Sequence, residues 1–255
     1  MADKILRRAP ATAVIVGASS GIGEALARRL VEEEYRVALL ARRRPLLEQL
    51  AAELNAGRLA PVAWAYEHDV TDFGAVPELF ERIALELDGI DVLIYNAGTM
   101  PHVDEDEFDF QKDHEIIRAN LLGAMAWMNA AANRFRRTGT GTIAAVSSVA
   151  GDRGRRSHPA YATSKAALTT FAESLRNRLT RHGVRVVTIK PGPVRTPMTA
   201  ASDHLPLVIE SDDAARQIAV AIRTSRSTVY VPKVWRPIMW VVRNIPSVLF
   251  RRLSF

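Results

Sequence analysis

The chain of 255 residues contains no cysteine. This absence excludes disulfide bonds and thiolate metal sites, so the protein can function in a reducing compartment. No apolar run approaches the roughly 18 residues that a membrane-spanning helix needs, and we expect no transmembrane segment. The basic start of the chain leads straight into a glycine-rich turn without a small-residue cleavage pattern, which predicts no signal peptide. We therefore expect a cytoplasmic protein.

Clusters of metal-ligating residues are also absent from the sequence. His102, His114 and His204 are isolated from one another, and no grouping of His, Asp and Glu has the spacing of a metal site, so we predict none. The formal net charge is +6, but the arginines are spread along the chain rather than gathered into a nucleic-acid-binding module. We expect no nucleic-acid partner, and a phosphate-bearing cofactor accounts for part of the positive charge.

Short apolar runs rich in Val, Ile, Leu and Ala alternate with longer stretches of helical periodicity along almost the whole chain. This alternation is typical of βαβ units around a parallel sheet. The predicted strands are 11–16, 36–41, 62–66, 91–95, 141–147, 184–190 and 228–231. The predicted helices are 21–33, 45–55, 73–87, 107–136, 159–181 and 211–224. We predict an α/β fold of the Rossmann type, a doubly wound, seven-stranded parallel sheet with helices on both faces.

No linker or internal repeat divides the chain, and the hydrophobic content of 48% is enough for one large core. We expect a single domain over residues 1–232 and a basic, aromatic tail over 233–255. A substrate lid is expected at about 194–210, where Met198, Leu205 and Leu207 are the apolar residues.

A glycine-rich turn directly follows the first predicted strand. It reads Gly17-Ala18-Ser19-Ser20-Gly21-Ile22-Gly23 and leads into a predicted helix. Glycine allows positive φ angles and a close approach of the backbone to a pyrophosphate, and the helix N-terminus offers unpaired N–H groups to that anion. A strand, turn and helix in this order predict a dinucleotide-binding site. An ordinary strand-to-helix turn is the alternative.

The end of the second predicted strand distinguishes NAD from NADP. A carboxylate there binds the ribose 2′-hydroxyl, whereas an arginine accommodates a 2′-phosphate. This chain reads Leu40-Ala41-Arg42-Arg43-Arg44 and has no carboxylate at that place. Because arginine binds phosphate through forked, charge-assisted hydrogen bonds, Arg42 and Arg43 favour NADP(H). A solvated basic loop is the alternative.

Tyr161 and Lys165 lie four positions apart on a predicted helix, so their side chains share one face. A nearby ammonium favours the phenolate, and we expect it to lower the pKa of Tyr161 toward the range of a general acid/base. Tyr161 would then donate a proton when a carbonyl is reduced and accept one when an alcohol is oxidised. Alone, the two residues would suggest an exposed helical pair, but the glycine turn upstream favours a catalytic one.

Several motifs together resemble the short-chain dehydrogenase/reductase family over residues 10–200. The matching residues are Gly17, Gly21 and Gly23 in the turn, Asp69-Val70, Asn96-Ala97-Gly98, Ser148, Tyr161-Ala162-Thr163-Ser164-Lys165 and Pro191-Gly192. The resemblance implies that Ser148 polarises the substrate, with Ser147 as the weaker candidate. It also implies that Lys165 holds the nicotinamide ribose and that Asn120 distorts its helix to support a proton-relay water.

The same resemblance implies further cofactor contacts. Asp69 and Val70 would border the adenine, and Asn96, Ala97 and Gly98 would support the ribose side. Beyond the sixth predicted strand, the cofactor-binding candidates are Pro191, Gly192, Val194 and Thr196, with Thr196 at the nicotinamide carboxamide. The family usually has threonine at Val16 and asparagine at Tyr95, so we expect hydrogen bonds between the turns to be lost.

These patterns predict an NADP(H)-dependent oxidoreductase that interconverts a carbonyl and an alcohol on a lipophilic small molecule. The family resemblance implies a homodimer or homotetramer. A non-catalytic NADP(H)-binding regulatory protein is the alternative. The tail leaves two interpretations open. Its arginines and aromatic residues suit an amphipathic helix in a membrane interface, or Trp235, Trp240 and Phe250 pack onto the domain or another subunit. With either interpretation, we expect the tail to be a candidate wall of a lipophilic substrate site.

Overall fold

A computed structural model describes residues 10–200, 205–224 and 226–253. It contains a seven-stranded parallel sheet with the strand order β3-β2-β1-β4-β5-β6-β7. The strands are β1 (Thr12–Val16), β2 (Arg36–Ala41), β3 (Ala63–Glu67), β4 (Val92–Tyr95), β5 (Gly141–Val146), β6 (Val184–Pro191) and β7 (Thr228–Val231). The predicted fold class and its seven strands are confirmed.

Helices connect the strands and extend beyond the last one. They are α1 (Gly21–Glu32), α2 (Arg44–Asn55), α3 (Val76–Glu86), α4 (Phe110–Ile117), α5 (Gly123–Thr138), α6 (Pro159–Leu179), α7 (Ser211–Thr224), α8 (Trp235–Asn244) and α9 (Ser247–Phe250). The predicted single helix over 107–136 differs from the structure at its start and in its middle. It starts at Phe110, and a π-helical turn, Arg118–Leu122, separates α4 from α5.

Two apolar cores hold the layers together, one on each face of the sheet. Successive strand side chains point to opposite faces, and β1 accordingly gives Ala13 and Ile15 to one core and Val14 and Val16 to the other. The first core includes residues of α1, α2 and α7, and the second includes residues of α3, α5 and α6. The sheet is therefore buried on both faces, as its continuous apolar strands require.

The strand order reverses at β1, which pairs with β2 on one side and with β4 on the other. At this point the loops after neighbouring strands leave toward opposite faces and open a crevice at the carboxyl ends of the strands. Val16, the last residue of β1, is in register with Leu40 of β2 and Tyr95 of β4. The turns that follow these three strands therefore begin side by side.

The C-terminal segment packs onto the domain through its first helix. Trp235 and Met239 of α8 form a small buried cluster with Val149, which begins a 3-10 turn after β5. Arg153 lies over the ring of Phe250 and donates to three carbonyl oxygens of the tail, those of Val242, Arg243 and Ile245. Trp240 is 70% exposed. Within the described residues, no helix is long and apolar enough to cross a membrane.

Candidate active site

A cavity of about 930 Å³ opens at the carboxyl ends of the central strands. Nearly all of the predicted site residues line it: Gly17, Ser19, Ser20, Gly21, Ile22, Arg42, Arg43, Asp69, Val70, Asn96, Ala97, Gly98, Ser148, Tyr161, Lys165, Pro191, Gly192, Val194 and Thr196. Gly23 and Asn120 are not among the lining residues in the described parts of the chain. Both lie behind the cavity wall: Gly23 packs against the carbonyl group of Gly17, and Asn120 binds Thr99 and Ser164.

The glycine turn needs its glycines for two different reasons. Gly17 and Gly21 have φ angles of +91° and +58°, which side-chain-bearing residues rarely adopt. A Cβ at Gly17 would also lie 2.6 Å from the backbone nitrogen of Ala97. Gly23 packs α1 against the turn itself, because a Cβ there would collide with the carbonyl oxygen of Gly17. The backbone of this turn therefore borders the cavity without a side chain in between.

The turns after β1 and β4 remain joined despite the two departures from the family pattern. The side-chain amide of Asn96 donates to the carbonyl oxygen of Gly17 at 2.9 Å. This bond comes from Asn96, which matches the family pattern, and not from the side chain of Val16 or Tyr95. Tyr95, in place of the usual asparagine, is fully buried, and its hydroxyl donates to the carbonyl oxygen of Ala119 at 2.6 Å.

The π-helical turn carries Asn120 into the interior. Its Oδ1 accepts from the backbone N–H of Thr99 at 2.7 Å, and its Nδ2 donates to the Thr99 carbonyl at 2.9 Å and to Ser164 Oγ at 3.2 Å. Asn120 thus ties the loop after β4 to α6, which carries Tyr161. Since Thr99 lines the cavity, these bonds fix the position of a residue in the cavity wall.

Lys165 is a buried cation beside the phenol of Tyr161. Its Nζ lies 5.6 Å from the centre of the Tyr161 ring and donates to the carbonyl oxygen of Val146 at 3.0 Å. The residue is only 4% exposed, and this burial lowers the pKa of Lys165 to about 8. The ammonium and amine forms of Lys165 therefore differ little in free energy near neutral pH.

The pKa of Tyr161 differs from the one expected from the spacing between Tyr161 and Lys165. Burial raises the pKa of Tyr161, while the neighbouring Ser148 hydroxyl acts in the opposite direction. The expected lowering of this pKa is therefore wrong for the structure, because desolvation of a phenolate outweighs the nearby groups. Tyr161 carries its proton at neutral pH, which is the form that a proton donor needs.

The two serines after β5 have separate roles. Ser147 Oγ donates to the carbonyl oxygen of Lys165 at 2.8 Å and contacts Thr169 Oγ1 at 2.8 Å, so it anchors α6 to the sheet. Ser148 Oγ accepts from the backbone N–H of Ala150 at 3.0 Å, and its hydroxyl is hydrogen-bonded to the phenol of Tyr161. Ser148 is therefore the better placed of the two to bind a carbonyl oxygen.

The end of the cavity formed by the turns after β1 and β2 is basic. Arg43 extends over the glycine turn, where its Nη2 donates to Ser19 Oγ at 2.8 Å and to Ser20 Oγ at 2.7 Å. Arg42 is 74% exposed and approaches Asp69 with 3.9 Å between Nη1 and Oδ2. Both guanidinium groups are thus near the surface of the cavity and accessible to a phosphate.

Residues outside the sequence motifs line the rest of the cavity. They are Met100, Arg155, Ser157, His158 and Trp235, together with Met198 and Leu205 of the expected lid. Residues 201–204 of that lid lie outside the described residues, and Leu207 is 50% exposed. Trp235 belongs to the tail that was expected to wall a lipophilic substrate site, whereas no sequence pattern singled out Arg155.

Comparisons with known proteins agree with this arrangement. A family profile described as "short chain dehydrogenase" matches residues 11–205. An uncharacterized oxidoreductase of Myxococcus xanthus is 34% identical over 242 residues, 94% of each chain. Another from Mycobacterium tuberculosis is 32% identical over 244 residues, 94% of this chain and 96% of the relative.

A solved structure shares both the fold and a measurable part of the sequence. The short-chain dehydrogenase from Sphingobium yanoikuyae in complex with NADPH is 25% identical, with a TM-score of 0.80, and covers 93% of this chain and 97% of its own. The family profile covers well over half of the present chain, and it includes the glycine turn, Ser148, Tyr161 and Lys165. The chain therefore belongs to the short-chain dehydrogenase/reductase family of oxidoreductases.

Proposed function

We propose that the protein is an NADP(H)-dependent oxidoreductase that interconverts a carbonyl group and an alcohol on a lipophilic small molecule. The observation that carries this proposal is the meeting of Ser148, Tyr161 and the buried Lys165 on one cavity wall, with Lys165 Nζ 5.6 Å from the Tyr161 ring. Burying an ammonium costs free energy. A protein that only binds a dinucleotide has no chemical need for these three groups together.

The walls of the cavity fit a phosphorylated dinucleotide. The glycine turn presents bare backbone at the N-terminus of α1, which suits a pyrophosphate. Arg42 and Arg43 follow β2, where a ribose 2′-phosphate is recognised in this fold. The NADPH bound by the relative from Sphingobium yanoikuyae supports the same choice of cofactor.

A bound nicotinamide supplies the hydride that adds to the carbonyl carbon, and the chain supplies the rest. Ser148 donates a hydrogen bond to the carbonyl oxygen, where negative charge develops during reduction. Tyr161 transfers its phenolic proton to that oxygen, which yields the alcohol. The Lys165 ammonium stabilises the resulting phenolate until a proton from solvent restores the phenol. Oxidation of an alcohol uses the same groups in reverse.

The substrate end of the cavity supports a lipophilic substrate. Met100, Met198, Leu205 and Trp235 line it, and Trp235 is almost fully buried. Apolar and aromatic walls of this kind bind organic molecules by removing apolar surface from water.

The proposal is tested by following NADPH and NADH oxidation with a panel of lipophilic ketones and aldehydes. Tyr161→Phe removes the transferable proton, so we expect a loss of at least about 100-fold in kcat. Tyr66→Phe is the matched control, because the Tyr66 hydroxyl binds Glu86 and the residue is not part of the cavity wall.

Turnover that is lost in Tyr161→Phe and kept in Tyr66→Phe supports the proposal. Tight NADPH binding without turnover of any panel member would instead favour a regulatory dinucleotide-binding protein. Equal activity of the wild type and Tyr161→Phe would overturn the assigned proton donor.

A further inference from the structure

The loop between the 3-10 turn after β5 and helix α6 contains three arginines, Arg153, Arg155 and Arg156. Two of them hold the C-terminal segment. Arg153 donates to three carbonyl oxygens near the end of α8, and Arg156 Nη2 donates to the carbonyl oxygen of Arg251 at 2.9 Å. These two side chains therefore have structural partners.

Arg155 is different, because its side chain lines the cavity. Across residues 10–200, 205–224 and 226–253, no hydrogen bond or ion pair engages its guanidinium. The nearest carboxylate that acts on it is Asp152. That carboxylate is already paired with Lys190 and accepts from the hydroxyl of Tyr230 at 2.7 Å. The guanidinium is thus a partly buried cation whose five donors have no protein acceptor in the described structure.

An unpaired, partly buried guanidinium costs free energy unless a ligand pairs with it. Burial lowers the pKa of Arg155, which reflects the loss of hydration of its charge. Buried charges in proteins are normally paired. An anionic group in the cavity would restore the lost interactions and would do so in a fixed orientation.

The position of Arg155 assigns that anion to the substrate rather than to the dinucleotide. Arg155 lies after β5, six residues before Tyr161, and lines the same cavity as Met100, Leu205 and Trp235. The arginines that suit a 2′-phosphate lie after β2. The lining carboxylates within the described residues, Asp69 and Glu115, belong to the loop after β3 and to α4.

We propose that Arg155 binds a carboxylate of the substrate, so that the protein acts on lipophilic oxo acids and the corresponding hydroxy acids. This inference rests on the proposed function. The planar guanidinium matches a carboxylate through two parallel N–H···O bonds, which also orients the carbonyl toward Tyr161. The apolar residues of the same wall then contact the hydrocarbon part of the substrate.

The test compares oxo acids with their methyl esters, which differ in charge but hardly in shape. A series with two to eight methylenes between the ketone and the carboxylate covers the unknown distance between the two binding points. We expect the wild type to prefer the acid, and Arg155→Gln to lower kcat/KM for the preferred acid by at least about tenfold while leaving its ester nearly unchanged. Arg155→Lys should keep part of the preference, since it retains the charge but not the fork.

Arg156→Gln is the matched control, because it removes the same charge from the same loop outside the cavity lining. It should leave the ratio of acid to ester unchanged. Suppose that the wild type reduces esters as efficiently as acids and that Arg155→Gln leaves the ratio of acid to ester activity unchanged. The carboxylate assignment is then wrong, while the proposed oxidoreductase function stands.

A binding measurement keeps the inference testable if no compound of the series is turned over, an outcome that counts against the proposed function. Decanoate and 1-decanol are titrated calorimetrically into the Arg155→Gln and Arg156→Gln variants with NADPH present. Weaker decanoate binding in Arg155→Gln alone supports the anion site. Equal decanoate affinities in the two variants overturn it.

Discussion

The indole of Trp235 occupies the space that a Cβ on Gly192 would fill. Trp235 begins α8 in the C-terminal segment, whereas Gly192 directly follows β6 at the mouth of the cavity. Both residues line that cavity. The C-terminal segment is therefore part of the wall of the candidate active site, and the glycine is needed there because the aromatic ring packs directly on the backbone.

Gly192→Ala should lower the free energy of unfolding by about 1–3 kcal/mol, because the added methyl group must displace the indole. The same substitution should cost much less in a Trp235→Leu background, where the smaller side chain leaves room. Urea unfolding of the four proteins of this double-mutant cycle measures the coupling between the two positions. Additive effects would show that the two residues do not compete for this space.

Arg43→Gln should weaken NADPH binding by about 10- to 100-fold, because a hydrogen-bonded charge pair with the 2′-phosphate is lost. NADH has no phosphate at this place, so its affinity should change little. Arg44→Gln is the matched control, since Arg44 pairs with Glu48 on the surface of α2. Titration of both cofactors into the three proteins measures the preference. Equal weakening of NADPH and NADH would assign Arg43 to the glycine turn rather than to cofactor selection.

Much of the fold follows from the sequence because strand and helix periodicities, glycine turns and apolar runs are local signals. The order of these elements predicts the doubly wound sheet and the edge at which its turns meet. Tyr161 and Lys165 share a helical face by spacing alone. Their predicted proximity is therefore a property of the helix and not of the tertiary structure.

The features that the sequence did not predict depend on contacts between distant elements. The family resemblance implied a distorted helix at Asn120, but not the hydrogen bond that Tyr95 donates to this π-helical turn. Arg155 lines the cavity from the loop before α6, against which the tail packs. The raised pKa of Tyr161 likewise results from burial, which spacing does not reveal. The predicted oligomer and membrane contact stay predictions.

Lys165→Met should stabilise the protein at pH 7 by about 2 kcal/mol. Folding lowers the pKa of Lys165 from 10.5 to about 8, so below pH 8 the folded state carries the cost of a buried ammonium. The loss of the hydrogen bond to the Val146 carbonyl offsets part of the gain, by about 1 kcal/mol. Between about pH 8 and 10.5 the unfolded state binds more protons, and the wild type therefore gains stability as the pH rises.

Urea unfolding of both proteins at pH 7 and pH 10 measures this difference. The advantage of Lys165→Met should shrink at pH 10, where the folded wild type buries a neutral amine. Lys233→Met, at an exposed position, is the control for general effects of alkaline pH. An advantage that is equal at the two pH values would mean that Lys165 is not desolvated to this extent.

Lys190 and Asp152 form a buried ion pair, with side chains 6% and 2% exposed, next to the cavity wall. Lys190→Met should lower the free energy of unfolding by about 3–5 kcal/mol, because it leaves the Asp152 carboxylate buried without its cation. The double variant Lys190→Met/Asp152→Asn should recover part of this loss, since no uncompensated charge remains. Arg195→Gln, which breaks an exposed pair with Glu210, should cost less than about 1 kcal/mol. A double variant that is less stable than Lys190→Met would show that Asp152 is held by its bond from Tyr230 rather than by the ion pair.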